Sequence, residues 1–199
     1  MKFVEIFRYE LSYRLRSPAT WLYTALMFFG PIAMAHFSDS ANDRVINAPL
    51  HYAEIVGFIG FIAMFATAGI FGDAATRDAS TGTQALFNTA PITKLDYLGG
   101  RFAASFLVNA VVLLGPPIGV ALSTLSPWLT HFNWSPFRIG AYLQPYLIFA
   151  LPNLLLSAAV LFTIAALTRQ ALAMYLGAVG LLIVNLVVVN QGLGSDTVE

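Results

Sequence analysis

From Phe102 to Leu125, from Gly140 to Thr168 and from Ala171 to Asn190 the chain carries no aspartate, glutamate, lysine or arginine. Runs of that length constrain the fold more than any motif does. Hydrocarbon offers no water to a backbone N–H or C=O, so an apolar run of about 20 residues is stable there as a helix that pairs those groups internally. Ala19 to Phe37 is a further run free of charged residues, and Ala53 to Phe71 is another apart from Glu54 at its edge. Hydrophobic residues make up 58% of the chain and charged residues 10%, against roughly 25% charged in a soluble domain. The expected fold is therefore all-α: a polytopic helical membrane protein with about five transmembrane helices, in one domain over residues 1–199. The long polar interval is residues 72–101, the sequence GDAATRDASTGTQALFNTAPITKLDYLGGR.

Residues 3–16 have the pattern of an amphipathic helix. At 100° per residue, Lys2, Glu5, Arg8, Ser12 and Arg16 share one arc, and Phe3, Val4, Ile6, Phe7, Leu11 and Leu15 the other. Glu10 and Arg14 interrupt the apolar arc, but at i,i+4 in the favourable order they neutralise each other. Such a helix lies in the membrane interface, so residues 1–17 read as an interfacial element. Ser17-Pro18 reads as an N-cap followed by proline at the first helical position of span one. Ala33-Met-Ala35 resembles a signal cleavage site, but the long amphipathic leader and the spanning length of the run argue against removal.

Further along, Gly115-Pro116-Pro117-Ile118-Gly119 interrupts the third span. It is nominally GxxxG, yet the double proline is expected to dominate and kink or break the helix. Trp128, Phe132, Trp134 and Phe137 form an aromatic belt at the membrane surface. The passage Gly140–Thr168 is too long for one straight crossing, and Gln144-Pro145 and Pro152-Asn153 mark where it bends.

Within 72–101, Asp73 and Arg77 face each other at i,i+4 if the preceding helix continues. Thr81-Gly-Thr-Gln84 has the form of a capping box, and Pro91 ends the short helix it starts, which carries Leu86 and Phe87. Thr93-x-x-Asp96 is a second, weaker start signal, with Gly99-Gly100 at re-entry into the apolar span. Lys2, Arg8, Arg14, Arg16, Arg77, Lys94, Arg101 and Arg169 are eight of the ten basic residues, against Arg44 and Arg138 on the other side. The positive-inside rule puts the N-terminus and 72–101 in the cytoplasm of a multi-pass inner-membrane protein.

The chemistry is sparse. No Gly-x-x-x-x-Gly-Lys, Gly-x-Ser-x-Gly or His-Glu-x-x-His is present, so neither nucleotide hydrolysis nor any other catalysis is argued, and no cofactor is expected. Zero net charge and no cysteine give no reason for a nucleic-acid partner or a thiolate metal site. His51-x-x-Glu54 supplies two ligand types one turn apart, too few for a metal; His36 and His131 fall near the same outer connections. No ionisable residue sits mid-span, which disfavours an ion-coupled transporter. The interior polar residues are Asn109, Gln144, Asn153 and Asn185, amides suited to interhelical hydrogen bonds.

The N-terminal FRYELSYRLRSPATWLY and the run TRDASTGTQALFNTAPITKLDYLGGR resemble the membrane subunits of ABC-2 type exporters. The matching positions are Arg77-Asp78, Gly82-Thr83, Leu86-Phe87, Pro91 and Gly100-Arg101. The chain is also similar to the permease part of bacterial proteins with a zinc aminopeptidase domain much further along. The resemblance implies a permease subunit, itself no enzyme, that couples ATP hydrolysis by a separate ATP-binding cassette subunit to export. It implies that residues 72–101 form a cytoplasmic coupling segment seated on that subunit through Arg77, Asp78, Gly82, Thr83, Leu86, Phe87 and Pro91. It further implies an interfacial helix using Phe3, Phe7, Glu10, Leu11 and Arg14, contact with membrane lipid, and a second permease half as homo- or heterodimer. Family members usually have six spans, so a count of five suggests either two elements within Gly140–Thr168 or, the preferred expectation, a C-terminally incomplete chain. The competing expectations are a membrane scaffold or assembly protein with no ATPase, and an intramembrane enzyme.

Overall fold

The computed structural model describes residues 2–37, 49–80, 82, 92–123 and 137–195. Among these residues every regular element is helical. The elements are α1 (Lys2–Arg16), α2 (Pro18–Phe37), α3 (Pro49–Ser80), α4 (Lys94–Val112), α5 (Gly115–Ser123), α6 (Ile139–Pro145), a π-helical segment (Tyr146–Ala150), α7 (Leu151–Thr168) and α8 (Ala171–Ser195). Three stretches are long and apolar enough to cross a membrane: Gly57–Asp78, Lys94–Leu122 and Ile139–Thr168. Helices also cover the first and fifth expected spans, as α2 and α8, with Leu172–Val187 a shorter apolar helix. Large apolar side chains such as Trp21, Phe29, Phe58, Phe149 and Leu156 stand on the outside, a surface suited to hydrocarbon.

α3 is the centre of the bundle, packed against α2, α4, α7 and α8. Its inward positions are small: Ala63, Ala66, Ala68 and Ala74 are all buried, and small residues let helix backbones approach where lipid competes for every apolar contact. Ile59, Ile70 and Phe71 are the larger buried apolar residues, and Phe71 has its ring 5.3 Å from Phe102 and 6.3 Å from Phe162. Phe102 and Phe162 are themselves 5.4 Å apart, so one aromatic cluster joins α3, α4 and α7. Deeper in the bundle, Asn109 donates from Nδ2 to Thr67 Oγ1 at 2.8 Å, and both side chains are buried. This is the interhelical bond expected of Asn109.

The Gly-Pro-Pro-Ile-Gly interruption combines two roles. α4 ends at Val112, Leu113 and Leu114 form a turn, and α5 resumes at Gly115. The prolines fall in the first turn of α5, where a missing N–H costs least. The glycines then set the packing: a Cβ on Gly115 would lie 2.8 Å from the Met27 carbonyl carbon, and one on Gly119 would strike the Phe28 carbonyl oxygen. The GxxxG spacing is thus a true close approach of α5 to α2.

In the long fourth passage the helix type changes at the first expected proline, and the chain stays α-helical past the second. Pro145 closes α6 and the π-helical segment follows; Pro152 sits harmlessly at the start of α7. Arg169 adopts a left-handed backbone at φ 55° and ends α7, so α8 follows after a two-residue connection. Ser17 alone separates α1 from α2, with proline opening the second helix as expected.

Candidate functional site

The residues of the N-terminal helix and of the 72–101 stretch come together at one end of the bundle. α3 stays helical through Ser80, so Asp73 and Arg77 share a face one turn apart. Arg77 Nη2 lies 2.6 Å from Asp73 Oδ2 and 2.7 Å from Glu10 Oε1, with Nη1 3.2 Å from Glu10 Oε2. Glu10 is fully buried and also meets Arg14 Nη2 at 2.8 Å. Arg14 Nη2 stands 3.7 Å from Asp73 Oδ2; its contacts are ionic, without hydrogen-bond geometry. From α4, Arg101 donates to Asp78 Oδ1 at 2.8 Å and to the Ala74 carbonyl at 2.9 Å, and its Nε is 3.9 Å from Glu10 Oε2. Two rings close the sides: the Arg77 guanidinium lies 3.7 Å over Tyr13, and that of Arg101 4.6 Å from the Tyr97 ring centre.

Three carboxylates (Glu10, Asp73, Asp78) thus face three guanidiniums (Arg14, Arg77, Arg101) and the cluster is neutral. Neutrality is what makes its burial tolerable, because an unpaired charge here would cost several kcal/mol. Burial pushes the Arg14 guanidinium below its usual range, and the charges of Glu10 and Asp73 draw it back up.

α1 can reach this position because α4 leaves room for it. A Cβ on Gly100 would lie 3.1 Å from the Phe3 carbonyl oxygen and 3.1 Å from the Ile6 side chain, and one on Gly99 3.4 Å from the Phe3 ring. Gly99-Gly100 is therefore not the point of re-entry that the sequence suggests. It lies inside α4, which starts at Lys94 behind an N-cap at Thr93, whose hydroxyl accepts from the Asp96 N–H at 3.1 Å. The inward side of α1 also departs from its apolar arc. Glu10 and Arg14 are its most buried residues, while Val4, Tyr9 and Leu15 are exposed. Phe3 and Phe7 stack along the helix at 6.5 Å, and Leu11 packs toward the Met27–Val108 core.

Of the expected coupling residues, Arg77 and Asp78 belong to this network. Gly82 is exposed at φ 69°, a left-handed turn just past the end of α3, which glycine adopts without steric cost. Thr83, Leu86, Phe87 and Pro91 lie outside the described residues, as do Thr81 and Gln84 of the capping box. So do the side chains of His36, His51, Glu54 and His131, and most of the aromatic belt. Sequence reasoning did not assign Arg101, Tyr13 and Tyr97 to a site with Glu10. Tyr97 and Arg101 are an i,i+4 pair that spacing could have shown, but Arg101 meets Asp78 across 23 residues and Arg77 meets Glu10 across 67, and no local pattern encodes such pairings.

Chemically, the network holds helices together. Each carboxylate has an oxygen committed to a guanidinium, and among the described residues no group of three or more His, Asp or Glu is arranged to hold a metal. Compared with protein-family models, curated proteins and solved structures, the chain matches none.

Proposed function

We propose that this chain is the membrane subunit of an ATP-driven exporter of the ABC-2 type, driven by a separate ATP-binding subunit that docks on the segment between α3 and α4. The observation that carries this reading is the ion network. The two helices that flank residues 81–91 are clamped to each other by Arg101 with Asp78 and the Ala74 carbonyl, and to α1 by Glu10 with Arg77. A load applied to that segment is therefore delivered to α3, α4 and α1 as one unit. A merely structural loop has no need of a six-membered charge lock whose centre, Glu10 with Arg14, Asp78 and Arg101, is buried. The eight-to-two split of basic residues supports a cytoplasmic N-terminus in an inner membrane, and the helices over all five apolar passages support five crossings.

Leu86 and Phe87 are the proposed docking residues. The capping box and Pro91 allow about two turns of helix, too short to hold alone in water. Asp73, Asp78 and Asp96 balance the basic residues beside it, so the segment lacks the excess that draws chains to anionic lipid. The test is association of the chain with an ATP-binding subunit, by co-purification, in wild type and in the double variant Leu86→Ser, Phe87→Ser. The two side chains contribute roughly 1.5–3 kcal/mol each when buried, less ordering costs. Association should weaken tens-fold or more at normal membrane levels. Undiminished ATPase binding and transport in that variant would remove the support for docking.

A further inference from the structure

A cavity of about 360 Å³ opens among α3, α5, the π-helical segment, α7 and α8. Three observations set it apart from a packing defect. Gly57 and Gly60 line it, and a Cβ on either would meet nothing within 4 Å. Unlike Gly100, Gly115 and Gly119, these glycines serve no close approach, so what they provide is space. Both interrupted passages converge on it: Pro116 and Pro117 from one side, Pro145 and the π-helical segment from the other. Proline withholds a donor from the turn before it, and π-helical turns within a helix cluster at functional sites. Interrupted helices meeting inside a membrane bundle are the usual setting of a binding site.

The third observation is polar. Asn153 and Ser157 on α7 and Asn185 on α8 line the cavity, beside Tyr146. Asn185 has no side-chain hydrogen bond among the described residues, and Asn153 only a long one, 3.5 Å from the Ser157 hydroxyl. Amides in an apolar bundle are stabilised by a partner. Buried Asn109 has one across the helices; Asn153 and Asn185, exposed at the cavity mouth, do not. Among the described residues no carboxylate or basic side chain lines the cavity, and against those residues a charged guest would be desolvated without compensation.

We propose that this cavity binds an uncharged small amphiphile, its apolar body along Phe61, Met64 and Phe149 and its hydrogen-bonding head against Asn153 and Asn185. The volume lies at the lower end of the range for small-molecule sites, which holds a compact ring system and not a two-chain lipid. All of the lining residues named belong to this one chain, with Phe61, Phe149, Asn153 and Asn185 exposed on it. The site's assignment to exported cargo rests on the exporter reading; its existence does not.

The test uses the full chain in nanodiscs of neutral phosphatidylcholine, with no ATPase added. The probe is N-phenyl-1-naphthylamine, an uncharged amine bearing one naphthyl and one phenyl group and one N–H donor, whose fluorescence rises in apolar surroundings. Its sulfonate-bearing analogue, 8-anilinonaphthalene-1-sulfonate, serves as the charged counterpart. Wild type should give a saturable signal above that of empty nanodiscs for the neutral probe and none for the sulfonate. Gly60→Phe fills open space, so the chain should stay monodisperse while the saturable signal disappears. Asn153→Leu with Asn185→Leu should weaken binding by about tenfold or more. Gly57→Leu repeats the filling test should Gly60→Phe not be monodisperse. A signal that never saturates, that survives both filling variants, or that is matched by the sulfonate overturns the proposal. Failure of ATPase docking with intact probe binding would count against the exporter reading alone.

Discussion

Replacing Glu10 by glutamine keeps its shape and removes one charge from the centre of the ion network. The carboxylate is fully buried and touches Arg77 at 2.7 Å, Arg14 at 2.8 Å and Arg101 at 3.9 Å. Without it, three guanidiniums are left facing Asp73 and Asp78. Two of the three, Arg14 and Arg101, are nearly as buried as Glu10, at 3% and 5% exposure, so water cannot compensate them. Removing one partner from a buried ionic cluster costs about 3–5 kcal/mol, far above the 0–1 kcal/mol of a surface pair. The double variant Glu10→Leu, Arg14→Leu removes one charge of each sign and leaves two carboxylates against two guanidiniums. It should therefore lose less than Glu10→Gln alone, although it changes more atoms. The assay is reversible unfolding in mixed micelles followed by tryptophan fluorescence, with protease release of α1 as a second readout. If Glu10→Gln costs under about 1 kcal/mol, or the double variant is worse than the single one, the network is not a buried neutral unit and the argument fails.

Three further substitutions probe the packing. Gly100→Val should displace α1 from α4 and cost about 1–3 kcal/mol, visible as faster cleavage at Arg8 or Arg16 with the rest of the chain intact. Gly119→Ala should destabilise by a similar amount through the Phe28 carbonyl, whereas Gly57→Ala, facing open space, should be neutral or slightly stabilising; equal effects at both positions would contradict the distinction drawn between these glycines. Tyr146→Phe removes the 2.8 Å bond from the phenol to the Ala110 carbonyl and should cost about 1 kcal/mol in the unfolding assay.

Much of this architecture was legible from local pattern. Charge-free runs gave the helices, and Ser17-Pro18, Thr93-x-x-Asp96 and the Asp73–Arg77 spacing gave their ends and one ion pair, because each depends on residues within about one turn of one another. Pairing across the bundle was not legible. Read on a single helix, Glu10 and Arg14 break an apolar arc and need only each other. In the folded chain they define the inward face, because α3 and α4 bring opposite charges to meet them. Glycine misled for the same reason. Gly99-Gly100 looks like a point of re-entry into an apolar span and Gly115-x-x-x-Gly119 looks subordinate to its prolines, yet both are contact surfaces whose partners, Phe3 with Ile6 and Met27 with Phe28, lie far away in sequence.

The network and the cavity are linked by one continuous element. α3 carries Gly57, Gly60 and Thr67 at the cavity and Asp73, Arg77 and Asp78 in the network. At 1.5 Å per residue, Gly60 and Arg77 are separated by roughly 25 Å of unbroken helix. Between those levels α3 is fixed to α4 by the buried Asn109–Thr67 bond and by Arg101, directional contacts that resist sliding. Its contact with α7 is of another kind: the Phe71–Phe162 ring pair and a seam of Ala74, Leu154 and Ala158, apolar throughout. A small sliding of packed helices breaks no hydrogen bond or ion pair at such a seam. A displacement entering through the segment between α3 and α4 would therefore carry those two helices together and slide them against α7. On the exporter reading, that motion changes the spacing between Gly60 on one wall of the cavity and Asn153 on the other, which is the change a binding site needs in order to release what it holds.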